Sequence, residues 1–255
     1  EADQPCDVPL GTYHAKLPDW EPGEPPMPVL LHLHGSDRSG ADVIEDDDVS
    51  GPALARGYAV IAPDGLERPG RSGRSWGYGN RPPVRDEVAF LREVVADAAT
   101  RFHVDPHRVL LSGFSAGGAM VWRVACTAPE AFTAYAPVAG GFGRNRPQAC
   151  VGPVRLLHTH GWRDDAVPIE GWPSRNDPAP DDILLDMDFW RRVDGCPDEH
   201  ANRFASDARF WRRAWSGCAY GSALELVLHP GGHEVPVGWT DLALDWFETV
   251  VPGSH

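Results

Sequence analysis

Residues 108–128 restrict the possible folds of this chain more than any other stretch. Arg108-Val-Leu-Leu-Ser112 is a short apolar run of strand character, and Ala116 to Ala128 reads as a helix. Gly113-Phe-Ser-Ala-Gly117 joins them. A buried strand that turns into a helix this abruptly brings its flanks close enough to clash unless small residues sit there, and Gly113, Gly117 and Gly118 supply them. The turn lifts Ser115 above the carboxyl edge of a sheet. The helix that begins at Ala116 then aims unpaired N–H groups at the space around its hydroxyl. A helix-capping serine is the plainer alternative, but the strand directly before and the helix directly after favour the sharp turn.

The rest of the chain repeats the strand-to-helix alternation. Strands are expected at Thr12–Leu17, Val29–His34, Tyr58–Ala62, Phe132–Ala139, Val154–His158 and Leu224–His229. Helices are expected at Asp42–Arg56, with a break at Gly51-Pro52, and at Asp86–Phe102, Asp181–Val193 and Trp239–Val250. This alternation predicts an α/β fold with a mostly parallel sheet covered on both faces, spanning 1–255 as one domain.

Composition limits what such a fold does. The net charge is −14, and Lys16 is the only lysine. An acidic surface repels phosphate backbones, so no nucleic-acid partner is expected. No apolar run approaches the roughly 20 residues of a membrane span, and no signal peptide is visible. Glu1 to Cys6 reads as the start of a mature or trimmed chain. The five cysteines include no C-x-x-C pair. The intervals 126–150 and 196–218 read as two local disulfide staples, with Cys6 left over, and disulfides point to a secreted or periplasmic protein.

A serine hydroxyl needs a base to become nucleophilic. On a sheet of this kind the partners follow in the order serine, acid, histidine, on loops beyond later strands. His229 lies inside a strand pattern, whereas His233 sits just past it in Pro230-Gly-Gly-His-Glu-Val-Pro236; His233 is the expected base. The acid belongs on the loop after Val154–His158, where Asp164 and Asp165 stand side by side. Spacing does not choose between them. The oxyanion of a tetrahedral intermediate needs two N–H donors, expected from the amides of Ala116 and of Ser36 after His34-Gly35. No cofactor or metal is expected, and the partner is a small or oligomeric ester bound by a monomer. The rival chemistry is a metal-dependent hydrolase, because His32-x-His34 and His158-x-His160 each put two imidazoles on one strand face.

His32-Leu-His-Gly-Ser36, Ala62-Pro-Asp-Gly65, Gly113-Phe-Ser-Ala-Gly-Gly118, His160-Gly-x-x-Asp164-x-x-Val-Pro168 and Pro230-Gly-Gly-His233 occur in this order. Together they resemble the polyhydroxybutyrate depolymerase-like and feruloyl-esterase-like esterases, from about Cys6 to Phe247. The resemblance implies an α/β-hydrolase fold, a serine esterase acting through an acyl-enzyme, and a triad of Ser115, Asp164 and His233. It is the resemblance that selects Asp164 over Asp165. It implies short hydroxyalkanoate oligomers as substrate, with feruloyl or acetyl esters of plant cell-wall polysaccharide as the alternative. Ala116 stands where such esterases often carry glutamine, and Trp162 where they often carry a small residue. Secreted polymer depolymerases of this kind often carry a linker and a polymer-binding domain, neither of which is visible here, so attack on crystalline polymer is left open. Trp76, Tyr78, Trp162, Trp172 and Trp239 fall near the expected catalytic edge, and Trp76 and Trp162 are the expected substrate contacts.

Overall fold

Near-continuous apolar runs such as Val29-Leu-Leu and Ala59-Val-Ile-Ala suit strands buried on both faces, and such strands form the centre of this molecule. The computed structural model describes residues 4–68, 70, 72–77, 84–143, 146–171 and 182–251. The chain opens with β1 (Cys6–Val8), β2 (Gly11–Lys16) and β3 (Met27–Leu33). Helices α1 (Gly40–Glu45) and α2 (Asp47–Ala55) lead to β4 (Ala59–Pro63). A ribbon of β5 (Leu66–Glu67) and β6 (Arg74–Ser75) precedes α3 (Glu87–Phe102), β7 (Val104–Phe114), α4 (Ala116–Thr127), β8 (Ala134–Val138) and β9 (Arg155–Gly161). Then come α5 (Ile183–Val193), β10 (Arg203–Ser206), β11 (Trp211–Trp215), β12 (Ala223–His229) and α6 (Trp239–Val250).

Among the described residues the main sheet has ten strands in the order β1-β2-β4-β3-β7-β8-β9-β12-β11-β10. The six central strands, β4 to β12, run parallel. Antiparallel hairpins close both edges. Each face of the sheet carries its own apolar layer. Trp122, Phe142 and Trp190 fill one; Trp239 and Phe247 fill the other. This is the α/β-hydrolase fold.

The first helical stretch breaks at Asp46 and not at Gly51-Pro52 as expected. The Asp46 carboxylate caps α2 by accepting from the Asp48 amide at 3.1 Å. Pro52 lies inside α2 and has no N–H for the carbonyl of Asp48. The Thr240 hydroxyl of α6 donates to that carbonyl instead, at 3.2 Å, so the helix continues through the proline. The β10–β11 hairpin was not expected, because both strands are solvent-facing and rich in arginine. Disulfides join Cys126 to Cys150 and Cys196 to Cys218, while Cys6 is free. No helix of the described residues is long and apolar enough to cross a membrane.

Candidate active site

The strand-to-helix turn has the geometry its glycines require. Ser115 adopts φ 54° and ψ −115°, a conformation that costs a non-glycine residue on the order of 1–3 kcal/mol. Its amide donates to the Val138 carbonyl at 2.9 Å, which helps hold the strained residue in place. A Cβ on Gly117 would stand 2.2 Å from the Leu33 carbonyl oxygen, so β3 and α4 approach this closely only because residue 117 has no side chain.

Three of the expected residues converge there. His233 Nε2 lies 2.8 Å from Ser115 Oγ, and His233 Nδ1 lies 2.8 Å from Asp164 Oδ2. A carboxylate only accepts, so Nδ1 carries the proton and Nε2 is left to accept the serine O–H. Asp164 is buried, and its other oxygen accepts the amides of Ala166 and Val167 at 3.0 and 2.7 Å. Asp165 is exposed. His229 is buried in the strand end, with Nδ1 accepting the Gly231 amide at 3.2 Å.

Ser36 and Ser115 line one cavity of about 780 Å³, which His32, Phe114 and His233 also border. A Cβ on Gly35 would lie 3.6 Å from the Cβ of Ser115, which brings the Gly35–Ser36 peptide alongside the hydroxyl. Neither the Ser36 nor the Ala116 amide has a protein acceptor among the described residues. His34 fixes this peptide. Its Nε2 accepts the Gly65 amide at 2.9 Å, so its Nδ1–H donates to the Gly35 carbonyl at 2.7 Å.

The aromatic expectations are corrected. Trp76 is 4% exposed and does not border the cavity. Its indole N–H donates to the His34 carbonyl at 2.8 Å, so it pins the loop before Ser36. Trp162 stays 56% exposed on the surface, also outside that cavity. Trp239 is fully buried at the start of α6 and donates to Thr159 Oγ1 at 3.1 Å. Tyr78 and Trp172 lie outside the described residues.

The His-x-His pairs are tied into the protein. His32 Nδ1 meets Ser112 Oγ at 2.9 Å. Trp122 Nε1 donates to His158 Nδ1 at 3.2 Å, His158 Nε2 meets His160 Nδ1 at 3.0 Å, and His160 Nε2 meets the Val167 carbonyl at 2.8 Å. Burial pushes the pKa of His32 down to about 3 and lowers those of His34, His158 and His160. All four are neutral at pH 7. This last chain of contacts is not legible in the residue order, because spacing shows that two imidazoles share a face but not what they touch.

The model of the X-Pro dipeptidyl-peptidase (S15 family) matches residues 15–225. A probable feruloyl esterase C from Aspergillus niger is 25% identical over 89% of this chain and 77% of its own length. A poly(3-hydroxybutyrate) depolymerase from Ralstonia pickettii is 29% identical over 48% of this chain and 28% of its own. The chain spans less than half the length of several further curated relatives. Among solved structures, the acetyl xylan esterase from Aspergillus awamori superposes with a TM-score of 0.70 at 15% identity, covering 96% of this chain and 98% of that one. The fold agrees with that structure, and the match over residues 15–225 establishes the lineage: the chain belongs to the S15 family of α/β-hydrolases.

Proposed function

We propose that this chain is a serine carboxylic-ester hydrolase in which Ser115 is the nucleophile, His233 the base and Asp164 the acid. The observation that carries the proposal is the unbroken pair of 2.8 Å contacts from Ser115 Oγ through His233 to Asp164. His233 Nε2 takes the serine proton as Oγ attacks the ester carbonyl. The amides of Ser36 and Ala116 receive the oxyanion, a contribution worth about 3 kcal/mol for each donor. Protonated His233 then gives its proton to the leaving alcohol. Water, activated by the same imidazole, releases the acyl group from Ser115.

Relatives named feruloyl esterase and poly(3-hydroxybutyrate) depolymerase support ester over peptide substrates, despite the peptidase in the family's name. We assign short hydroxyalkanoate oligomers as the substrate class. Feruloyl or acetyl esters of plant polysaccharide are the second reading, favoured by the longer match to the feruloyl esterase. Two disulfides support secretion or a periplasmic location, and one sheet flanked by both apolar layers supports a single catalytic domain. The test is hydrolysis of a short p-nitrophenyl ester, with an Xaa-Pro p-nitroanilide as control. Turnover of the ester that is lost in Ser115→Ala, blocked by a phosphonate and indifferent to chelators is expected. Chelator-sensitive turnover that survives the phosphonate would overturn it.

A further inference from the structure

The cavity that holds Ser115 and His233 has a strongly one-sided wall. Among the described residues Asp42, Glu45, Asp46 and Glu234 line it, against a single cation, Arg38. Glu45 and Asp46 are exposed, and the Glu234 side chain is 58% exposed with Oε1 4.0 Å from His229 Nδ1, so all three carry their charge at the solvated rim of the cavity. Asp42 is fixed in place: the amide and hydroxyl of Ser39 both donate to its Oδ2 at 2.7 Å. Arg38 approaches Asp42 at 3.5 Å and offsets one of the four acids. The imidazoles of His32 and His34 also border the cavity, but burial keeps them neutral at pH 7, and they add no positive charge.

We infer that this acidic collar makes the site select esters without a negative charge near the scissile bond, and that Glu45 and Glu234 are specificity-determining residues. The inference rests on the esterase reading and narrows its substrate class. Glu234 borders the same cavity as His233, the residue that protonates the departing alcohol, so the collar bears on a charge carried by the alcohol half. A hydroxyalkanoate dimer carries a free carboxylate on that half. A longer oligomer cleaved at an interior bond does not bring its carboxylate so close, and a neutral sugar ester has none. The collar therefore sorts dimers from longer chains and anionic from neutral acyl sugars. Three net negative charges at about 10 Å through water amount to roughly a tenfold penalty, largely screened at high salt.

Acetate release from 3-acetoxybutyrate and from its N-methylamide isolates the charge, since the two differ little in size. At 10 mM salt we expect kcat/KM to favour the amide about tenfold. Near 1 M salt the gap all but closes, because the Debye length falls to about 3 Å, well inside the roughly 10 Å separation. In Glu45→Gln/Glu234→Gln the low-salt ratio falls toward that high-salt value. Neither residue caps a helix, so the substitutions leave the helix ends intact. Equal turnover of the two probes, a salt-independent ratio, or a ratio unchanged in the double variant would each overturn the collar. Failure to release acetate from both probes while a short p-nitrophenyl ester is turned over would overturn the collar alone; failure on all three esters would overturn the esterase reading, and the collar with it.

Discussion

Asp194 offers a sharp test of how this fold tolerates a buried acid. It ends α5, is fully buried, and accepts the Val154 amide through Oδ1 at 2.9 Å. Its Oδ2 has no partner among the described residues. Burial pushes its pKa from an ordinary 3.8 up to about 7, although the Val154 amide pulls the other way. The folded state therefore holds a proton that the unfolded chain has lost. Stability is fully present below pH 3.8 and is lost as pH rises toward 7. At 1.36 kcal/mol per tenfold change in proton affinity, this group removes about 2.5 kcal/mol between pH 5 and pH 8. For a chain of this size that is about 5–10 °C in Tm. Asp194→Asn keeps an acceptor for Val154 and carries no charge. Thermal melts of both proteins from pH 5 to pH 8, disulfides intact, are expected to show the variant gaining on the wild type by that amount. The buried histidines have lowered pKa values and affect both proteins alike. A difference in Tm that stays constant across the range would refute the reasoning.

Three other outcomes follow from the geometry. Asp164→Asn lowers kcat by about 10⁴, the loss seen when a triad imidazole is held in the wrong tautomer, while Asp165→Asn stays within about twofold, within the ±0.5 kcal/mol usual for exposed sites; the reverse order in steady-state kinetics would reassign the acid. His34→Ala frees the Gly35–Ser36 peptide and lowers kcat by about 10² with little change in KM; an unchanged kcat would remove Ser36 from the oxyanion site. Breaking Cys126–Cys150, which spans 24 residues, destabilises the fold by about 3 kcal/mol. Calorimetry of the Cys126→Ser/Cys150→Ser variant checks this, and alkylation of the unreduced wild type should label Cys6 alone.

Much of the site was readable because local sterics leave few alternatives. Only glycine permits the close approach at residue 117, so the turn and Ser115 announce themselves. His233 follows from its place one loop beyond a buried strand. Asp164 and Asp165 were inseparable by spacing, because the choice depends on which carboxylate accepts the Ala166 and Val167 amides. Trp76 misled for a related reason: an aromatic residue in a long loop fits a substrate cleft or a structural pin equally well. Here its N–H found the His34 carbonyl. Pro52 misled because the residue that compensates it, Thr240, lies far along the chain.

The contacts from Trp122 through His158 and His160 to Val167 also have a direction. An indole has a proton to give and no lone pair to receive one, and a carbonyl has the opposite character. Between these ends each imidazole has one possible tautomer, with the proton on Nε2. Neither ring can turn over its proton alone, since one reversal would set two lone pairs or two protons face to face. The interior of the sheet thus imposes a polarity on the loop that carries Asp164. The proton on His160 points at a backbone oxygen of that loop, and Asp164 Oδ2 meets His233 Nδ1 at 2.8 Å while His160 Nε2 stays 3.5 Å away.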